Sequence, residues 1–128
     1  MSQGPVGALL KYLGRDPGHA GAHHWRAQRV SALALIPLTI WFLSALAWLP
    51  DFGFDTVHAW AATPWRAVLL SLLVFCIAWH SQLGMQVFIE DYVHGNVSRP
   101  LAVGVSTFAH VLLGAAGMSA ALCVAFRG

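Results

Sequence analysis

Trp79-His80-Ser81-Gln82-Leu83-Gly84-Met85-Gln86-Val87-Phe88-Ile89-Glu90-Asp91-Tyr92-Val93-His94-Gly95 starts inside an apolar run and ends in a cluster of polar groups. Wound as an α-helix rising ~1.5 Å per residue, it sets His80 about 16 Å from Asp91 along the axis. That is roughly half of a hydrocarbon core ~30 Å thick. The spacing therefore predicts an imidazole near a bilayer midplane, with Asp91 and Tyr92 at the water interface. At about 100° per residue, His80, Gly84, Val87 and Asp91 fall within about 60° of one another. One stripe thus carries a titratable ring, a gap with no side chain one turn along, and a carboxylate at the mouth. An ionisable residue in mid-membrane is costly, which makes His80 a functional candidate.

The rest of the chain agrees with a membrane setting. Its 128 residues are 58% hydrophobic and 9% charged, against about 25% charged in soluble domains. The net charge of +2 is small and scattered, which argues against nucleic-acid binding. Cys76 and Cys123 lie inside apolar runs and form no CxxC pair; they read as lipid- or core-facing thiols.

Three uncharged runs, Val30–Pro50, Ala67–Ile89 and Pro100–Phe126, are each long enough to span a bilayer. Backbone polar groups inside lipid must be satisfied within the segment, so all three are expected to be helices, at about residues 29–50, 66–92 and 100–126. Residues 1–20 are expected to be a mobile cytoplasmic tail, and residues 21–128 one all-α domain of three transmembrane helices. Lys11, Arg15, Arg26, Arg29 and Arg99 fall on one side of such a topology, Arg66 and Arg127 on the other. That asymmetry places the N-terminus in the cytoplasm. Trp25 and Tyr92 then mark the cytoplasmic interface, and Trp48, Trp60 and Trp65 the opposite one. Gly104, Gly114 and Gly117 suit close helix packing, and a second membrane subunit or a second copy is expected to complete the bundle.

A neutral imidazole at this depth can ligate haem iron, relay a proton, or bond to a neighbouring helix. A metal held by side chains alone would need further ligands at helical spacing, and His80 has none on its own helix. Haem differs, because each axial ligand can come from a separate helix, and Gly84 leaves room for a macrocycle. Asp91-Tyr92 reads either as an interfacial anchor or as a phenol with a supporting carboxylate that meets a quinone carbonyl. Arg29 and His23 are positive-inside anchors or, alternatively, partners of haem propionates. His110 reads as a helix contact or a second ligand. His24, His58 and His94 receive no role, and Gly95 reads as the stop of the second helix.

The pattern His80, Gly84-Met85-Gln86, Asp91-Tyr92-Val93 resembles the second-helix signature of the small hydrophobic membrane-anchor subunit of succinate dehydrogenase, respiratory complex II. The entry His23 followed by Gln28-Arg29-Val30-Ser31-Ala32-Leu33 is similar to the start of that subunit, and the likeness covers residues 21–128. The resemblance implies that His80 is one axial ligand of a b-type haem, the other coming from a cytochrome b anchor subunit. It implies that Tyr92 hydrogen-bonds ubiquinone with Asp91 in support, and that His23 and Arg29 lie near the propionates and the quinone. The iron–sulfur and flavoprotein subunits would be the remaining partners, with succinate oxidation on them, and the site of action would be the inner membrane of a bacterium. Two other readings stand beside it: a fumarate reductase anchor working on menaquinol, and a purely structural anchor or assembly factor without a cofactor.

Overall fold

A computed structural model of the chain describes residues 17–127. Among them are four helices: α1 (Pro17–Ala47), α2 (Phe54–Ala61), α3 (Pro64–Tyr92) and α4 (Ser98–Arg127). Three are long and apolar enough to cross a membrane: α1 from Gly21, α3 and α4. The expected all-α, three-span architecture is what forms.

The helix ends differ from the sequence expectation in instructive ways. The uncharged run places the first helix at 29–50, yet α1 begins at Pro17, so residues 17–20 of the expected tail form its opening turn. Residues 1–16 of that tail lie outside the described residues. The polar stretch before Arg29 contains helix formers such as Ala22, Ala27 and Gln28, and proline is well suited to a first helical turn. The other end stops short at Ala47. Pro50 disfavours helical dihedrals at the residue before it, and Asp51 then accepts a 2.7 Å hydrogen bond from the Gly53 amide, folding the chain into a turn. Pro37 sits within α1 without ending it, as neighbouring groups in a membrane helix permit.

The segment expected to be a loop between the first two spans holds α2. Its Trp60 stacks on Trp41 of α1, with ring centroids 6.0 Å apart. The Arg66 guanidinium lies 5.5 Å from the centroid of Trp60 and 5.1 Å from that of Trp65, and donates a 3.3 Å hydrogen bond to the Trp60 carbonyl. These aromatic and cation–π contacts fasten α2 to the start of α3 and to α1. Pro64 opens α3 at its first turn. At the far end α3 stops at Tyr92, with Val93 already extended, so the stop comes before Gly95. Gly95 belongs instead to the turn into α4, where its carbonyl accepts from the Arg99 amide.

α3 is the central helix: it packs on α1 and on α4, and among the described residues those two do not meet. Leu38, Leu73 and Cys76 form the buried core of the α1–α3 seam, with Ala34, Leu35, Phe42 and Leu69 against them. Gly114 and Gly117 let α4 approach α3 closely. A methyl at Gly114 would lie 3.2 Å from the Ala78 Cβ, and one at Gly117 would lie 2.8 Å from a Val74 methyl. Gly104 does not share this role, since nothing lies within 4 Å of it. The small-residue face is thus largely consumed inside the chain. Within the most apolar window of each span, only 11%, 22% and 6% of residues are buried in α1, α3 and α4. Most of the helix surface is left for lipid or other helices.

Candidate functional site

The seam between α1 and α3 is where the polar side chains gather. His24, Gln28 and Ser31 recur at i, i+4 and i+7 and so share one stripe of α1. That stripe faces the His80–Gly84–Val87 stripe of α3. Ser31 is 1% exposed. Its hydroxyl donates a 3.0 Å hydrogen bond to the Gln28 carbonyl and lies 3.0 Å from His80 Nδ1. Among the described residues His80 is hydrogen-bonded through Nδ1 alone.

One turn further out, Gln28 stands opposite Gly84, its amide nitrogen 3.8 Å from where a Gly84 Cβ would be. Around them opens a cleft of about 610 Å³, lined by His24, Trp25, Gln28, Gly84, Gln86 and Glu90 among others. Two polar atoms on its walls, His24 Nε2 and Gln28 Oε1, are buried and have no partner in the described structure. Unpaired buried polar atoms are rare and call for an explanation such as a ligand, ion or water.

The α3–α4 seam is polar as well, but its groups satisfy one another. His110 Nδ1 lies 2.7 Å from the Ser106 carbonyl and therefore donates to it; its Nε2 then accepts from the Ser81 hydroxyl at 3.1 Å. Both ring nitrogens are occupied, so His110 is a helix contact. Gln82 donates to Thr107 at 3.0 Å; along α3 itself Gln86, on the wall of the α1–α3 cleft, donates to the Glu90 carboxylate at 3.0 Å. The Ser81–His110 and Gln82–Thr107 bonds tie α3 to α4. No group of three or more His, Cys, Asp or Glu able to hold a bare metal ion occurs among the described residues.

The family model described as "Succinate dehydrogenase/Fumarate reductase transmembrane subunit" matches residues 11–120. The chain belongs to this family of respiratory transmembrane subunits. The succinate dehydrogenase hydrophobic membrane anchor subunit of Rickettsia bellii is 31% identical over 101 residues, 78% of this chain and 81% of that protein. Its counterpart in Rickettsia felis is 32% identical over 98 residues, 76% of this chain and 82% of that protein. The Paracoccus denitrificans subunit of the same description is 29% identical over 104 residues, 80% of each chain. No solved structure matches the chain. The reading as a succinate dehydrogenase membrane anchor, made from the His80-to-Tyr92 pattern, therefore holds.

The positions named from that pattern do not all converge in this anchor. His80 and Gly84 share the α1–α3 seam. Asp91 and Tyr92 are exposed at the end of α3, where the Tyr92 ring packs on Phe88 with centroids 4.6 Å apart. Tyr92 is 71% exposed, and its hydroxyl has no partner among the described residues. His23 and Arg29 are also exposed. At about 100° per residue they point roughly 100° to one side of His24 and 140° to the other, away from the seam. Arg29 lies over the Trp25 ring, 4.8 Å from its centroid. No hydrogen bond or ion pair among the described residues joins His23 or Arg29 to Asp91 or Tyr92. The seam residues that sequence reasoning passed over are His24, Gln28 and Ser31. Their signal was available: three polar residues at helical spacing, matching the register of His80 and Gly84.

The donor set suits one axial position of the b-type haem implied by the family resemblance. An axial histidine needs one ring nitrogen free and the other held, which is the state of His80. A macrocycle needs space beside that ligand; Gly84 borders the cleft one turn along α3, while His80 is not among the residues that line it. The macrocycle's carboxylate edge needs N–H or O–H donors; the unpaired His24 Nε2 on the cleft wall can be one, whereas the unpaired Gln28 atom is a carbonyl oxygen, which accepts.

Proposed function

We propose that this chain is the small anchor of a bacterial succinate:ubiquinone oxidoreductase, lying in the inner membrane with its N-terminus in the cytoplasm. It works with a cytochrome b anchor subunit, and it docks the iron–sulfur subunit and, through the complex, the flavoprotein. The observation that carries this reading is the His80 ring, held by Ser31 through Nδ1 and unpaired at Nε2. A helix-contact histidine engages both nitrogens, as His110 does; His80 keeps one in reserve.

His80 would supply one axial ligand of haem b, with the second from the cytochrome b anchor, and the bound haem would supply one-electron transfer at that point. Gly84 would leave space one turn along α3, and the His24 ring would offer an N–H to a propionate. Ubiquinone, the substrate, takes two electrons and two protons. The Tyr92 hydroxyl would donate to a quinone carbonyl and hold the head group, and Asp91 would orient that phenol and hand on protons from the cytoplasmic side. His23 and Arg29, exposed on the same side, would add positive charge around the quinone entrance and meet neighbouring subunits. Because Tyr92 is so open in this chain, most of the quinone pocket would be built by the partner subunits.

The deciding experiment is an optical spectrum of the purified complex with His80 replaced by Leu. Loss of the low-spin bis-imidazole bands, or their conversion to a high-spin form, is expected. An unchanged low-spin spectrum would refute ligation by His80.

A further inference from the structure

We propose that Ser31 is a positioning residue for the His80 imidazole, fixing which ring nitrogen carries the proton and so which one is left to bind iron. This deepens the haem reading above and rests on it.

The number of protons at the seam decides the tautomer. A serine hydroxyl has one hydrogen and accepts through its lone pairs. Ser31 Oγ lies 3.0 Å from the Gln28 carbonyl oxygen, which can only accept, and 3.0 Å from His80 Nδ1. Both contacts are satisfied in one way: the hydroxyl donates to the carbonyl, and Nδ1–H donates to the hydroxyl oxygen. The reverse arrangement, with the hydroxyl donating to Nδ1, would set the serine lone pairs against the Gln28 carbonyl. Neutral imidazole carries one proton, so placing it on Nδ1 leaves a lone pair on Nε2.

Burial makes the assignment firm. Ser31 is 1% exposed, so water does not replace the hydroxyl as acceptor. The bond also spans two helices, which fixes the ring's rotation about its own side chain. His110 shows the contrast: it too donates from Nδ1, to the Ser106 carbonyl, but the Ser81 hydroxyl occupies its Nε2. An acceptor on Nδ1–H also lets the opposite nitrogen give more electron density to the iron. Ser31 is therefore expected to favour the oxidised iron and to hold the ligand against exchange.

The test compares Ser31→Thr with Ser31→Val in the complete complex. The two side chains have nearly the same shape and differ by the hydroxyl, and Thr in a helix can make the same bond to a carbonyl three or four residues back. Three readouts are taken: the haem midpoint potential, the fraction of reduced haem that binds carbon monoxide, and the low-spin EPR signal. Thr should match the unaltered protein in all three. Val should keep its haem but show a higher potential, a several-fold larger carbon monoxide-reactive fraction and a shifted EPR signal. If Thr and Val behave alike, with normal haem content, Ser31 acts by packing alone and the proposal is overturned. His80→Leu is run in parallel. Should that variant keep its low-spin haem, the ligand assignment itself fails and the Ser31 role fails with it. Loss of low-spin haem there, with Thr and Val alike, refutes the Ser31 role only.

Discussion

Gly84 on α3 faces Gln28 on α1, and a methyl group added at Gly84 would meet nothing closer than the Gln28 amide nitrogen at 3.8 Å. That is an ordinary van der Waals contact, so the packing of this chain does not itself require glycine there. Gly84→Ala should therefore insert and assemble normally. Gly84→Leu, which fills the cleft, should assemble but lose most of its haem, measured as haem per complex. Normal haem in Gly84→Leu would show that the cleft holds no macrocycle.

The approach of α4 to α3 gives a contrast in stability. A Cβ at Gly117 would lie 2.8 Å from a Val74 methyl, whereas Gly104 has open space. Gly117→Val should destabilise the α3–α4 pair by about 1–3 kcal/mol, the usual cost of overpacking. Gly104→Val should change little. The thermal midpoint of the detergent-solubilised complex reads both, and equal effects would contradict the observed packing.

His24 and His23 are neighbours with different surroundings. His24 Nε2 is buried and unpaired in the cleft, while His23 is exposed. His24→Leu should lower haem content or shift its potential, and His23→Leu should leave both near normal. The reverse ranking would restore the residue chosen from the family resemblance.

Tyr92→Phe keeps the ring and its stacking on Phe88 and removes only the hydroxyl. A hydrogen bond to quinone is worth about 0.5–1.5 kcal/mol, and each ~1.4 kcal/mol is tenfold in rate. Quinone-linked turnover should fall by several-fold to about tenfold, with succinate oxidation by an artificial acceptor spared. An unchanged ratio of the two activities, at normal haem content, would mean the hydroxyl does not act on quinone.

Orientation is open to reporters. A fusion after Gly128 should read as periplasmic and an insertion at Gly95 as cytoplasmic, as the basic asymmetry requires. The opposite result would turn Asp91 and Tyr92 away from cytoplasmic partner subunits.

The membrane class, the three spans and His80 as the candidate ligand were legible in the order of residues alone. Those follow from one-dimensional properties: uncharged runs of sufficient length, the obligation of backbone groups in lipid to bond within a helix, and the cost of an imidazole at mid-depth. The His80-to-Tyr92 spacing likewise carried the family. Tertiary structure decided which residues meet. Whether His24 or His23 faces α3 depends on the rotation of α1 about its axis, and that is set by the packing of Leu38 against Leu73 and Cys76. The two histidines are adjacent in the chain yet about 100° apart around the helix. The pairing of Ser31 with His80 crosses 49 positions, beyond any local pattern. The difference in hydrogen bonding between His80 and His110 was equally hidden, because it rests on whether the second ring nitrogen finds a hydroxyl across the seam.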